Sequence, residues 1–161
     1  MSVREATLAD AAAIARVHVA SWQTAYRELI PAARLATFTV PARVAAWRRN
    51  LRGGHGARTI VFEDAGGLAG FASIGRSHEL AGWGEIYALY VDPERWGEGV
   101  GSALFASAIA TLAADGRTRV LLWVLEGNER ALQFYQGSGF ALDGARKVED
   151  GLAQLRLRRA R

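Results

Sequence analysis

The residues with the clearest chemical content lie in one stretch, Val91-Asp92-Pro93-Glu94-Arg95-Trp96-Gly97-Glu98-Gly99-Val100-Gly101-Ser102. An apolar run that reads as a strand ends at Asp92-Pro93. Glycine then alternates with other residues at 97, 99 and 101, and a helical period begins. Alternating glycines let the backbone turn tightly and present successive N–H donors, and the positive end of the following helix adds to them. That combination suits a phosphate, with a ligand-free glycine turn as the alternative. Spacing excludes two common phosphate loops. G-x-x-x-x-G-K-[ST] needs a lysine, and none is near. G-x-G-x-x-G fails in both registers, because Gly97-x-Gly99 continues to Ser102 and Gly99-x-Gly101 to Leu104. A dinucleotide loop would also follow the first strand of a βαβ unit, not a hairpin in mid-chain.

A second constellation lies downstream. Asn128 and Tyr135 are seven residues apart, two helical turns, so they share a face about 10 Å apart along the axis. Near the N-terminus His18, Trp22 and Tyr26 recur at helical spacing and share a face if the helix is continuous. With Trp47 these rings could wall a pocket and hold a cationic amine by cation–π contact, or they could be core; Trp47 reads as core. His18 is a candidate base or a packed histidine. Glu85, at the start of a strand, is a candidate base or an exposed strand-end carboxylate. No Asp, Glu or His spacing suggests a metal.

These groups need a mixed α and β frame to position them. Ser2 to Ala6 reads as a strand, and Thr7 opens a helix with Asp10 as its capping partner. Pro31 stops that run. Pro41 begins another helix, which ends at Gly53-Gly54. Thr59 to Glu63 and Leu68 to Gly75 flank a turn and read as a hairpin. Glu85 to Val91 is apolar on both faces, the mark of a central strand. Ser102 to Ala114 carries one apolar stripe, Leu104, Phe105, Ala108, Ile109 and Leu112, and reads as a helix. Val120 to Val124 is a further strand. Asn128 caps a short helix through Gln136, and Phe140 to Ala145 and Ala153 to Arg158 close the chain as strands.

Composition bounds the function. The chain has 161 residues, the size of one domain, and no internal repeat or linker divides it, so residues 1–161 read as a single unit. It has no cysteine, which excludes disulfides, thiolate metal sites and a cysteine nucleophile. The formal charge is +4, but Arg156, Arg158, Arg159 and Arg161 supply the excess, and the first 155 residues are neutral overall. A basic end on a neutral body does not point to nucleic acid. No apolar run reaches membrane-spanning length, and Met1 to Asp10 carries no signal-like stretch, so a soluble cytoplasmic protein is expected.

The glycine loop, with Val-x-Pro before it, resembles the acyl-CoA loop of the GNAT superfamily of N-acetyltransferases. Asn128-x-x-Ala131-x-x-Phe134-Tyr135 followed by Gly139-Phe140 is similar to that superfamily's second conserved segment, in the right order and at about the right distance. The two together cover a resemblance that extends over nearly the whole chain. The chain departs at Trp96, where the family's loop usually begins with Gln or Arg. Ser21-Trp22-x-x-x-Tyr26-x-x-x-Ile30-Pro31 is similar to a bacterial subgroup that includes polyamine-type acetyltransferases.

The resemblance implies an α/β fold with a mixed, mostly antiparallel sheet of about six to seven strands flanked by about four helices. It implies acetyl-CoA as cosubstrate, with Trp96, Gly97, Glu98, Gly99, Val100, Gly101 and Ser102 cradling its pyrophosphate. The backbone of Leu89, Tyr90 and Val91 would pair with pantetheine where that strand splays from Val120–Val124, and Asn128 would hold pantetheine too. Tyr135 is the implied general acid, and Glu85 stands where related enzymes often carry a carboxylate. With no thiol in the chain, the acetyl group would go directly to a primary amine on a small molecule, a polyamine or a protein N-terminus. His18, Trp22 and Tyr26 are the candidate acceptor-pocket residues. A non-catalytic acyl-CoA sensor is the alternative, and exposed strand edges are consistent with a homodimer.

Overall fold

The computed structural model describes residues 2–160; Arg161, the last of the tail arginines, and Met1 lie outside them. Strand β1 (Ser2–Glu5) leads through a 3-10 turn (Leu8–Asp10) into helix α1 (Ala11–Ala25). The expected capping pair is present there, with the Thr7 N–H donating to Asp10 Oδ2 at 2.8 Å. A short helix α2 (Ala32–Leu35), not foreseen in the sequence, precedes α3 (Val40–Leu51). Strands β2 (Arg58–Asp64), β3 (Gly67–Arg76) and β4 (Gly84–Val91) follow, then helix α4 (Val100–Ala114), strand β5 (Val120–Leu125), helix α5 (Glu129–Gly137), and strands β6 (Ala141–Glu149) and β7 (Leu152–Arg159).

The seven strands form one sheet in the order β1-β2-β3-β4-β5-β7-β6. Neighbours are antiparallel except β4 and β5, which α4 joins as a parallel crossover. The fold class is therefore the expected mixed, mostly antiparallel sheet, and β4 stands at its centre. The apolar stripe of α4 explains its seat. Val100, Leu104, Ala108 and Leu112 are each at most 2% exposed and pack on Ile74, Ile86, Leu122 and Leu157 from one face of the sheet. Burying one such leucine contributes about 2 kcal/mol. On the other face α1 and α3 pack on Val61 and Phe71 through Ile14, Ala15, Val17 and Trp47.

Strand β6 runs past the expected stop at Ala145 because the chain bulges instead of ending. Leu142 pairs with Leu157 and Arg146 with Leu155, so residues 143–145 stand against Arg156 alone. The Asp143 side chain, 3% exposed, turns into the bulge, accepts from Arg156 Nε at 2.6 Å and the Ala145 N–H at 2.9 Å, and forms an ion pair with Arg158 Nε at 3.0 Å. Two of the tail arginines are thus structural.

Candidate active site

Strands β4 and β5 pair only from Gly84 and Val120 to Ile86 and Leu122. Beyond that they diverge, β4 to Val91 and β5 to Leu125. A β-bulge places Tyr87 where they part: Ile74 pairs with Ile86 and Ser73 with Ala88, leaving Tyr87 without an opposite residue. The gap is a cleft of about 670 Å³. The ladder fixes which peptide groups face it. The Asp92 N–H donates to Ala69 O at 2.8 Å, so Gly70 and Val91 form a non-hydrogen-bonded pair. The N–H and C=O of Val91, and by alternation those of Leu89, therefore point away from β3 toward the cleft, and those of Tyr90 point to β3.

The glycine loop closes the mouth. Gly97 and Gly99 have φ near +83° and +85°, and a Cβ on either would meet nothing within 4 Å. Glycine is needed there for conformation and not for room. Gly99 is the N-cap of α4, which begins two residues earlier than expected, and Gly101 sits in its first turn with ordinary φ. Val100, Gly101 and Ser102 line the cleft, and their N–H groups have no acceptor within the helix. Arg95 locks the loop: it pairs with Glu98 at 2.8 Å and with Asp64, in the β2–β3 hairpin, at 2.5 Å. Glu98 itself points to Arg95 and does not line the cleft. Trp96 does line it. Its Nε1–H donates to Val91 O at 3.0 Å, and Ser21 Oγ donates to the same oxygen at 2.9 Å. The Val91 carbonyl thus has both lone pairs occupied.

Asn128 is the N-cap of α5, its Oδ1 accepting from the Ala131 N–H at 3.3 Å. Tyr135, two turns on, lines the same cleft with its ring packed against Phe105, Phe134 and Phe140. Burial, with Tyr90 nearby, pushes its phenol well above the ordinary tyrosine range, so it stays protonated. A buried polar chain runs beside it. Trp22 Nε1–H donates to Tyr90 Oη at 3.2 Å, and the Tyr90 and Tyr26 hydroxyls are 3.1 Å apart. Tyr26 lines the cleft, while Trp22, stacked on Phe38 with centroids 4.0 Å apart, does not.

His18 does not line the cleft either. It sits among Trp22, Phe38, Trp47, Phe71 and Tyr90 with centroids 5.0–6.1 Å away, and its Nδ1 accepts from Trp47 Nε1–H at 3.1 Å. Burial, then the charge of Arg43, lowers its pKa to about 4. It is a neutral, packed histidine. Glu85 does not line the cleft; it lies one residue before the split, in the part of β4 that still pairs with β5. Burial and then Glu79 raise its pKa to about 7, against the pull of Lys147 and Arg156. Those neighbours surround Trp123, a cleft residue: Trp123 Nε1–H donates to Glu79 at 2.8 Å and Lys147 Nζ lies 4.3 Å over its ring. Sequence reasoning missed Ser21, Arg95, Trp123 and Arg130 as site residues. Arg95 and Arg130 fall inside the two segments that carry the resemblance and Ser21 opens the Ser21-to-Pro31 stretch, whereas Trp123 carried no local signal.

A family model described as "Acetyltransferase (GNAT) family" matches residues 19–140, more than two thirds of the chain. The chain belongs to the GNAT family. It is an N-acetyltransferase of that family, similar to the uncharacterized N-acetyltransferase YuaI of Bacillus subtilis, with 36% identity covering 94% of this chain and 91% of that protein. A mycothiol acetyltransferase of Kocuria rhizophila is 46% identical over 57 residues, which is 35% of this chain and 19% of that protein. Among solved structures, the PaiA N-acetyltransferase of Thermoplasma acidophilum in complex with coenzyme A has a TM-score of 0.78 at 17% identity, covering 99% of this chain and 98% of that one. YncA of Salmonella typhimurium, solved with acetyl-CoA, has a TM-score of 0.71 at 21% identity, covering 99% and 93%. GNAT relatives therefore bind coenzyme A or acetyl-CoA in this fold. Among the described residues no helix is long and apolar enough to cross a membrane, and no cluster of three His, Asp or Glu could hold a metal.

Proposed function

We propose that residues 1–161 form one cytoplasmic acetyltransferase domain that moves an acetyl group from acetyl-CoA directly to a primary amine. The observation that carries this is the split between β4 and β5, with a left-handed glycine loop at its mouth and Tyr135 in its wall. The residues present fit the cosubstrate. Loop N–H groups from Gly97 to Ser102 can take its pyrophosphate, and the cleft-facing peptide groups of Leu89 and the Val91 N–H can pair with pantetheine as an added strand. Asn128 contributes by shaping the start of α5. When bound, the cosubstrate supplies the thioester that the amine nitrogen attacks. Glu85, just outside the cleft lining, receives the proton of the amine through water. Tyr135, kept protonated by burial, gives its proton to the departing sulfur.

The acceptor end of the cleft is bounded by Tyr26, Tyr87 and Trp123. Aromatic walls beside Glu79 and Glu85 favour a small amine or a peptide N-terminus, and a polyamine is the acceptor that the Ser21-to-Pro31 stretch favours. No observation favours a sensor role over turnover. Edge strand β6, with Leu142 and Val148 exposed, is the surface on which a homodimer would form. Calorimetric titration with acetyl-CoA, followed by thiol release across polyamines, amino acids, aminoglycosides and peptides, tests the reading. Failure to bind acetyl-CoA at millimolar concentration refutes it.

A further inference from the structure

We propose that Arg130, held by the indole of Trp96, is the cationic anchor for the pyrophosphate of the acyl-CoA, which rests on reading the cleft as a coenzyme A site. Among the described residues the cleft is lined by two cations, Arg95 and Arg130, and by no carboxylate. Arg95 is already neutralised, by Asp64 on one side and Glu98 on the other. Arg130 pairs with no carboxylate among the described residues. Its guanidinium lies 4.0 Å over the Trp96 ring, and Trp96 is itself fixed by its bond to Val91 O.

This arrangement places a charge where the loop lacks one. Gly97 to Ser102 contains no basic residue and one acidic one, Glu98. Backbone donors there are neutral, whereas a pyrophosphate is dianionic. A guanidinium held over an aromatic ring, with no carboxylate partner, has N–H groups free, and its fork matches phosphate oxygens in pairs. Trp96 adjoins Gly97, so the stack holds the fork at the start of the phosphate loop. Helix stability gives no reason for the residue. Arg130 is the second residue of α5, where the helix dipole disfavours a cation. The departure at Trp96 acquires a role: tryptophan there carries no charge but holds one in place.

The test compares coenzyme A with dephospho-coenzyme A, which lacks only the 3′-phosphate, by calorimetry on the full chain, together with steady-state kinetics. Arg130→Gln should weaken both ligands equally, by about tenfold, and raise the KM for acetyl-CoA more than it lowers kcat. Its Tm should stay level or rise slightly, which a merely structural residue would not show. Trp96→Ala should give a similar loss, and combining the two substitutions should add little, whereas Trp96→Phe, which keeps a ring under the guanidinium, should retain most of the affinity. Wild-type affinity in Arg130→Gln overturns the proposal. So does a loss confined to coenzyme A, which would assign the guanidinium to the 3′-phosphate. A wild-type protein that binds neither ligand refutes the coenzyme A reading itself.

Discussion

If Glu85 receives the proton of the acceptor amine, its ionisation must shape the acid limb of the pH profile. Its pKa of about 7, well above the ordinary 4.5, has burial as its chief cause. Between pH 6 and pH 8 the ionised fraction then climbs from about one tenth to about nine tenths. The amine must also be neutral, and for an amine with a pKa of about 10 its reactive fraction rises tenfold per pH unit across this range. The logarithm of kcat/KM for the amine should therefore climb with a slope near two below pH 7 and near one above it. Glu85→Gln should remove the break, leave a slope near one throughout, and lower the rate at pH 8 by about 10²–10³. Thiol release at saturating acetyl-CoA and low amine, in buffers of constant ionic strength, measures this. A break near pH 7 that survives in Glu85→Gln refutes the assignment. Stability supplies an independent sign. A raised pKa means that the folded state holds the proton more tightly between pH 4.5 and 7, so stability falls as pH rises through that window. The Gln variant should melt higher than wild type at pH 8 and converge with it in acid. A lower Tm at pH 8 would show that Glu85 is not a desolvated carboxylate.

Three further outcomes follow from the same geometry. Tyr135→Phe should lower kcat while leaving acetyl-CoA affinity near normal, and an unchanged kcat with chemistry rate-limiting removes Tyr135 from the acid role. His18, whose pKa is lowered from 6.5 to about 4, stays neutral in the fold, so the unfolded chain binds the extra proton and stability falls as pH drops through that window. The slope is at most about 1.4 kcal/mol per pH unit, and chemical denaturation of His18→Gln at pH 5 and pH 7 should show it diminished. For Asp143, burial pushes the carboxyl up, but the Ala145 N–H, Arg156 and Arg158 outweigh it and hold it below the ordinary range. Asp143→Ala leaves two arginines facing a vacated bulge and should cost about 2–3 kcal/mol, seen as a Tm lower by roughly 5–10 °C.

What the sequence made legible was local. The tight turn at Gly97 and Gly99, the stripe of α4 and the seven-residue step from Asn128 to Tyr135 depend on neighbours within two turns of chain, and all lie in the structure as read, with the helix taking in Gly101. The spacing of His18, Trp22 and Tyr26 was equally right, since their rings are neighbours. Spacing says which residues share a face, not where the face looks. Phe71, Trp47 and Phe38, remote in sequence, enclose His18, and only Tyr26 reaches the cleft. The pairing of Arg95 was hidden for the same reason, because Asp64, its partner, is 31 residues away.

The basic excess shows most directly how tertiary pairing overrides a count. Asp143 takes Arg156 and Arg158, and Arg159 lies 5.8 Å over the Phe105 ring. Three of the four arginines that make the chain cationic thus rest on its own side chains, where a polyanion would have to compete with a nearly buried carboxylate for two of them. Charge available to a ligand is a property of what remains unpaired in a concave place. By that measure the net charge of +4 carries little information, and one uncompensated guanidinium over Trp96 carries more.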